Sequence, residues 1–227
     1  MSGIPALSPL YPSPPYKYRD QQIWWAVVGS PAPLFALPEG LAVARNARTI
    51  VVVAHRPDST LGPYNEAVVL VSSSFNGIDG LYCPLIYVDS DVALCAGREI
   101  WGFPKKMAEI DIDESDGIVD ARVSRCGEQL LRLRARVSEP MDVAATDRRI
   151  PPTPTFCHKV MPSVNGEESS VDTLTSVSSE AVIHEAWTGM GMIEAAGEAL
   201  KVLDAVSFVE VTKQISDSVL PAGDVLR

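Results

Sequence analysis

Three strand-length runs of β-branched and apolar residues constrain the fold of this chain more than any other feature. They are Gln22–Val28, Thr49–Ala54 and Ala67–Ser72. Branched side chains are stiff at χ1 and pack well on a pleated surface, so such runs favour strands over helices. No apolar run approaches the length that a membrane-spanning helix needs. The chain is therefore expected to fold mainly as sheet.

A hairpin is predicted further along the chain. The segments Ile118–Ser124 and Gln129–Val137 alternate apolar and polar residues, and Cys126–Gly127 lies in the connection between them. Alternation with period two is typical of antiparallel strands that have one buried and one solvated face. The arginines of the second segment are therefore expected on the solvated face.

The remaining pattern predicts a single domain. Strand character returns over residues 156–162, 174–185 and 206–211, residues 32–38 favour a short helical or turn element, and residues 140–154 are rich in loop-forming residues. Met192–Leu203 has apolar positions at helical spacing and is the one helix predicted with its bounds. Five prolines lie within residues 1–15, which are expected to form an extended N-terminal arm. We therefore predict an α+β domain, mainly antiparallel β, over residues 16–227.

Composition and charge restrict the class of partner. The 227 residues carry a net charge of −10, which argues against nucleic acid and anionic membrane surfaces, because both require a basic footprint. The four cysteines have no CxxC spacing, so neither a zinc site nor a disulfide framework is indicated. The N-terminus lacks the basic and apolar regions of a signal peptide. We expect a soluble, cytoplasmic protein with reduced thiols.

Two adjacent lysines end the run Gly97–Lys106, G-R-E-I-W-G-F-P-K-K. Most lysine pairs lie in solvent, and that interpretation stays open. The alternative is a reactive amine, because a lysine becomes a nucleophile near neutral pH when an apolar pocket or a neighbouring cation keeps it partly unprotonated. Successive side chains of an extended segment point to opposite faces, so one lysine would face inward and the other outward.

Two other segments are candidates for chemistry. Glu66 lies between two apolar strands, where it either faces solvent or, if it shares a cavity with the lysine, moves protons as an acid or base. His184–Gly189 contains His-Glu without the second histidine of a zincin, so a packed turn is the better interpretation. The sequence has no P-loop, dinucleotide fingerprint or serine hydrolase elbow. No metal and no external cofactor is expected.

Several short motifs are spread along nearly the whole chain, namely Pro15–Tyr18, Leu61–Glu66, Ser74–Gly77, Gly97–Glu99, Phe103–Lys106, Lys159–Pro162, His184–Gly189 and Leu220–Pro221. In their order and rough spacing these motifs resemble the acetoacetate decarboxylase family. The combination of Gly-Arg-Glu, Phe-Pro-Lys-Lys and His-Glu-Ala-Trp-Thr-Gly is the specific part. The resemblance implies closed, barrel-like or cone-shaped sheets with few helices, and assembly into a homo-oligomer.

The resemblance also implies roles for individual residues. Lys105, the first lysine of the pair, would form a Schiff base with a keto-acid substrate, and Glu66 would assist it. Tyr64, Trp101 and Phe103 would line the pocket. The supporting residues would be Arg98, Glu99 and Lys106. The family is a known example of a lysine activated by desolvation or by a nearby cation, so the resemblance implies the same activation for Lys105.

Two positions depart from the family pattern. Gln21 stands where the family has an arginine; Arg19, two residues earlier, would share its strand face and is a candidate replacement. Val51 stands where the family has a second pocket glutamate. We include Arg19, Gln21 and Val51 among the candidate substrate-binding residues. The loss of a cation and a carboxylate suggests a substrate that is bulkier or more apolar than acetoacetate.

Three functions follow from the resemblance, in order of preference. The first is decarboxylation of a β-keto acid through a lysine Schiff base, releasing carbon dioxide and a ketone. Phe103 favours it, because pyruvate-using relatives tend to carry glutamine at that position. The second is a Schiff-base aldolase, dehydratase or cyclase acting on a keto acid. The third is a catalytically silent protein that binds an apolar small molecule.

Overall fold

Strands dominate the computed structural model, which describes residues 11–28, 37–44, 47–149, 153–198, 203 and 206–227. In chain order the elements are β1 (Tyr16–Val28), β2 (Leu41–Val43), β3 (Thr49–Arg56), β4 (Asp58–Ser59), β5 (Tyr64–Phe75), β6 (Ile78–Val88), α1 (Asp91–Ala96), a π-helical turn (Gly97–Trp101), β7 (Lys105–Met107), β8 (Glu109–Ser115), β9 (Ile118–Arg125), β10 (Glu128–Pro140), α2 (Val143–Arg149), β11 (Thr155–Met161), β12 (Val171–Val177), β13 (Glu180–Ala195), β14 (Val206–Leu220) and β15 (Asp224–Val225).

All described strands belong to one sheet of 15 strands. Its main path runs β15-β12-β11-β6-β5-β3-β1-β14-β13-β10-β9-β8, and β2, β4 and β7 pair alongside. Pairing is antiparallel except where β6 meets β11 and β7, which run parallel to it. The predicted α+β architecture, mainly antiparallel with few helices, is confirmed. Within the described residues β15 and β8 end the path without pairing to each other, so the sheet is not a closed barrel.

The central strand β3 is buried on both faces, which explains its unbroken apolar sequence. Val51 and Val53 pack into one core with Trp24 of β1. Their neighbours Ile50 and Val52 point the other way, into a second core. The alternation of side chains along a strand thus separates an apolar core on one face from the face that holds the cavity described below.

The predicted hairpin is present as β9 and β10. The connecting residues Cys126 and Gly127 both have positive φ, at 53° and 80°. Positive φ at both residues is what a two-residue hairpin turn needs if its twist is to match that of the strands. Leu133 and Ala135 are buried, whereas Arg134 between them and Arg136 after them are exposed. One face of the hairpin therefore packs on the core and the other is solvated.

The predicted helix over residues 192–203 is wrong for its first residues. Met192–Ala195 is the end of β13, where it pairs with β10 on one side and β14 on the other. Ladder hydrogen bonds on both edges outweigh a helical spacing of apolar residues, which is only a local preference. Residues 199–202 lie outside the described part of the chain.

Other boundaries also differ from the sequence prediction. The segment expected to be loop, residues 140–154, contains the helix α2, and His184–Gly189 lies in β13 rather than in a turn. Most of the turn element predicted over residues 32–38, and residues 1–10 of the predicted arm, lie outside the described residues. No described helix is long and apolar enough to cross a membrane.

The close pairing of β10 and β13 makes Gly189 a stability determinant. A Cβ added to Gly189 would lie 1.8 Å from the backbone oxygen of Arg136. We expect Gly189→Ala to force the two strands apart and to lower the free energy of unfolding by about 2 kcal/mol. Urea denaturation measures this, with the exposed Val182→Ala on the same strand as control, expected within about 0.5 kcal/mol of wild type. Equal stability of the two variants would contradict this account.

Candidate active site

A cavity of about 350 Å³ opens on the β3 face that carries Ile50 and Val52. Strands β1, β3, β5, β6 and β14 form its wall, and α1 with the π-helical turn covers one side. Its apolar part is lined by branched and aromatic side chains, namely Ile23, Trp25, Val52, Val68, Leu70, Leu81, Ile86, Trp101 and Phe103. Of the described residues that line the cavity, three are charged: Arg56, Glu66 and Lys105.

The chain between β6 and β7 is shaped to bring Lys105 into this cavity. Ser90 caps α1, because its side chain accepts a hydrogen bond from the backbone N–H of Ala93. The helix then widens into the π-helical turn and ends at Gly102, whose φ of 81° suits glycine. After this turn β7 pairs parallel to β6 and places Lys105 beside Ile86, a residue of the cavity wall.

The Gly-Arg-Glu motif supports Lys105 directly. An added Cβ at Gly97 would lie 2.6 Å from Cε and 2.7 Å from Cδ of Lys105, so the absence of a side chain makes room for the lysine stem. Arg98 donates from Nη1 to the backbone oxygen of Lys105 at 3.2 Å. Glu99 accepts a hydrogen bond of 2.6 Å from the hydroxyl of Tyr11 and so ties the N-terminal segment to the turn.

The two lysines face opposite sides of β7, as alternation in an extended segment predicts. The side chain of Lys105 is 7% exposed, and that of Lys106 is 34% exposed. Lys106 leaves the cavity and pairs with Glu198 at 2.6 Å. Lys106 therefore does not place a second positive charge beside Lys105 inside the cavity.

Glu66 lies between two cations. Its Oε2 accepts from Nζ of Lys105 at 2.8 Å, and its Oε1 accepts from Nη2 of Arg56 at 3.0 Å. Burial opposes ionisation of this carboxyl, but the charges and hydrogen bonds of Lys105 and Arg56 outweigh it and lower the pKa of Glu66 to about 2. The group is therefore a carboxylate at neutral pH.

Aromatic rings surround these charges. The guanidinium of Arg56 lies 4.6 Å from the ring centroid of Tyr18, and Nζ of Lys105 lies 5.5 Å from that of Tyr64 and 6.0 Å from that of Phe103. Burial raises the pKa of both tyrosines above the ordinary value, so each keeps its proton at neutral pH. The cavity therefore combines apolar walls, ring faces and one charged cluster.

Several candidate residues from the sequence meet in the cavity. Tyr64, Trp101 and Phe103 line it together with Lys105 and Glu66. Gln21 also lines it, donates to the hydroxyls of two serines of β14, and accepts from Arg56. The positions of these residues agree with the roles that the resemblance implies, and the roles themselves stay proposals.

Arg19 does not reach the cavity, so the expectation that it shares a face with Gln21 is wrong. The register of β1 shifts between Tyr18 and Gln21, where Asp20 has a φ of 49°. This bulge inserts an extra residue and turns Arg19 outward. Its side chain is 67% exposed and lies 3.4 Å from Asp58.

Val51 is the second candidate that the structure places elsewhere. It is fully buried in the core on the opposite face of β3, and its neighbour Val52 lines the cavity instead. Position 51 followed from counting residues back from Glu66 without allowing for a gap. An offset of one residue along a strand moves a side chain to the opposite face, so this count selected the wrong face of β3.

Arg56 is the residue that sequence reasoning missed. It lies four residues after the cavity residue Val52, on the same face of β3. It pairs in register with Tyr64, which precedes Glu66 by two residues. An arginine that continues the inward-facing positions of an apolar strand is the signal that identifies it. Its presence means that the site has a cation although position 21 is glutamine.

In the described ranges no group of three or more His, Cys, Asp or Glu residues is placed to hold a metal ion. Cys83 and Cys157 are buried near the cavity, and burial raises the pKa of both thiols.

Comparisons with known proteins define the family. The family model described as "Acetoacetate decarboxylase (ADC)" matches residues 12–224. An acetoacetate decarboxylase of Ralstonia nicotianae is 29% identical over 234 residues, covering 99% of this chain and 93% of the relative. The crystal structure of acetoacetate decarboxylase from Legionella pneumophila superposes with a TM-score of 0.88 at 24% identity, covering 100% of this chain and 93% of that one.

A structure of the enduracididine biosynthesis enzyme MppR complexed with pyruvate shares the fold, with a TM-score of 0.73 at 18% identity over 97% of this chain and 93% of that one. The match of the family model over nearly the whole chain shows that this protein belongs to the acetoacetate decarboxylase family.

The position of Glu66 between two cations predicts a specific pH dependence of stability. The pKa of Glu66 is lower in the folded state than its ordinary value of 4.5, so its contribution is complete above about pH 5 and is lost as the pH falls toward 2. The shift corresponds to a contribution on the order of 3 kcal/mol at neutral pH. Glu66→Gln should therefore be less stable than wild type at pH 7, and the difference should shrink between pH 5 and 2.

Urea denaturation across this pH range measures the difference. The matched control is Glu168→Gln, which changes an exposed carboxylate and should follow the wild-type curve. A gap between wild type and Glu66→Gln that stays constant down to pH 2 would contradict the assignment of the shift to Glu66.

Proposed function

We propose that this protein is a decarboxylase that acts on a β-keto acid through a Schiff base on Lys105. The observation that carries the proposal is the buried amine of Lys105 within hydrogen-bond distance of Glu66, inside a largely apolar cavity. Membership of the acetoacetate decarboxylase family supports the reaction class. Assembly into a homo-oligomer and a cytoplasmic location stay predictions from the sequence.

The first chemical step is activation of the amine. The ammonium group of Lys105 loses one proton to solvent, while Glu66, whose pKa is about 2, stays a carboxylate and holds the resulting neutral amine in place through their 2.8 Å hydrogen bond. The amine attacks the ketone carbon of the substrate, and the resulting alcohol takes up a proton and leaves as water. The product of this step is an imine that carries a positive charge on nitrogen.

Carbon dioxide then leaves with its bonding electron pair transferred to the imine, which becomes a neutral enamine. A proton from solvent adds to the carbon that carried the carboxylate, and water hydrolyses the imine to a ketone and free Lys105. The net reaction consumes one proton and yields one carbon dioxide and one ketone. Apolar walls favour the step in which the carboxylate loses its charge.

The size of the cavity supports a substrate larger than acetoacetate. A volume of about 350 Å³ lies within the range of pockets that hold drug-sized ligands, so a small keto acid would fill only part of it. The apolar side chains Val52, Leu70 and Ile86 line the same cavity as the charged cluster. From the sequence alone, a larger substrate is expected because charged groups are lost at Gln21 and Val51. Because Arg56 places a cation in the cavity, the proposal rests instead on the cavity volume and its apolar lining.

Borohydride trapping tests the covalent step. Wild type incubated with a β-keto acid and borohydride should gain the mass of the reduced adduct on Lys105. Lys106→Ala, which changes the lysine outside the cavity, should still be labelled, whereas Lys105→Ala should not. Absence of a Lys105 adduct across keto acids from acetoacetate to 3-oxooctanoate would refute the Schiff-base mechanism. If wild type turns over none of these keto acids and Lys105→Ala still binds them, the protein is a catalytically silent binder.

Carbon dioxide release separates decarboxylation from the aldolase, dehydratase or cyclase alternative. The proposal predicts one carbon dioxide per keto acid consumed, with kcat/KM rising at least tenfold from acetoacetate to a longer chain as more apolar surface is buried. The MppR structure complexed with pyruvate is the observation that favours testing the alternative. Trapping on Lys105 with consumption of pyruvate and an aldehyde, but without carbon dioxide, would establish the alternative.

Gly97→Ala tests the placement of the reactive amine. The added methyl group would displace Cδ and Cε of Lys105, which belong to a flexible side chain, so the fold should persist while the amine moves away from Glu66. We expect a loss of at least tenfold in the rate of adduct formation and a shift of the urea midpoint no larger than that of an ordinary surface variant. A normal rate of trapping would show that the close fit of Gly97 and Lys105 has no catalytic role.

A further inference from the structure

We infer that Arg56 is the docking group for the carboxylate of the substrate and makes the site select keto acids over neutral ketones. The inference rests on the proposed function and adds to it the residue that recognises the acid. It concerns an arginine of β3, whereas the arginine expected from the resemblance would lie on β1.

Charge in the cavity is the first support. Arg56 and Lys105 are cations and Glu66 is an anion, and these three are the charged residues among the described residues that line the cavity. One unit of positive charge therefore remains unbalanced next to apolar walls, where an unpaired ion is costly. A monocarboxylate neutralises this charge, and a neutral ketone does not.

The fixed orientation of the guanidinium is the second support. One Nη donates to Gln21 and the other donates to Glu66 at 3.0 Å, while the ring of Tyr18 lies 4.6 Å from Cζ. A guanidinium has five N–H groups, and the bonds to described residues use two of them. Its Nε is buried without a hydrogen-bond partner among the described residues. Arg56 is thus held in place with donors to spare.

Spacing is the third support. Lys105 and Arg56 bond to the two oxygens of the same carboxylate, at 2.8 Å and 3.0 Å. In a β-keto acid the ketone carbon and the carboxylate are one carbon apart. Arg56 is therefore close enough to take the acid group of a substrate whose ketone carbon lies at Lys105, and the apolar side chains Val52 and Leu70 line the same cavity and are available to its tail.

The kinetic consequence is an effect on binding. The ion pair with Arg56 stabilises the carboxylate before carbon dioxide leaves, so it contributes to capture of the acid more than to the bond-breaking step. Hydrogen bonds to charged groups correspond to a change of roughly ten- to a hundredfold in an equilibrium constant. We expect Arg56→Met to raise KM for the keto acid by that factor, with a smaller change in kcat.

The test compares the keto acid with its own ketone product on wild type and three variants. KM is measured for the best keto acid of the chain-length series, and the inhibition constant is measured for the neutral ketone. Arg56→Met should raise KM at least tenfold and leave the inhibition constant within about threefold of wild type. Arg56→Lys, which keeps the charge, should recover part of the affinity. Arg19→Met, the matched control outside the cavity, should equal wild type.

Two results would overturn the inference. If KM and the ketone inhibition constant rise together in Arg56→Met, the arginine acts on the general shape of the site or on Lys105. If KM does not change in either Arg56 variant, the carboxylate binds elsewhere. Failure of the proposed function is distinguishable, because wild type would then release no carbon dioxide from any keto acid of the series.

Discussion

The carboxylate of Glu66, shared by Lys105 and Arg56, is the interaction on which the site depends. Burying three ions costs several kcal/mol for each ion unless they compensate one another. The sheet supplies that compensation through register: β5 places Glu66 opposite Ala54 of β3, two residues before Arg56, and parallel pairing of β7 with β6 brings Lys105 to the same wall. A chain that lost this register would lose the charge pairing with it.

Regular alternation made much of this architecture predictable from the sequence. The β-branched runs around Thr49–Ala54, the hairpin and the opposite directions of Lys105 and Lys106 all follow from period-two geometry. The irregular features were not predictable in this way. A bulge at Asp20 turned Arg19 outward, and strand pairing on both edges converted Met192–Ala195 from an apparent helix to a strand. Both depend on partners that are distant in the sequence.

The cavity also changes the interpretation of the departures from the family pattern. Gln21 suggested a site that had lost a cation, but the structure places the guanidinium of Arg56 in contact with that same glutamine. The cavity therefore holds an arginine although position 21 is glutamine, and β3 supplies it rather than β1. The volume of the cavity and its apolar lining by Val52, Leu70 and Ile86 are the physical basis for proposing a longer substrate.

A crystal structure of the enzyme reduced with borohydride in the presence of a long-chain β-keto acid would test the central claim most directly. We expect continuous electron density from Nζ of Lys105 to a carbon of the former ketone, with the alkyl chain along Val52 and Leu70. Density for an unmodified Lys105 that still pairs with Glu66, or an adduct on Lys106, would contradict the proposed Schiff-base chemistry.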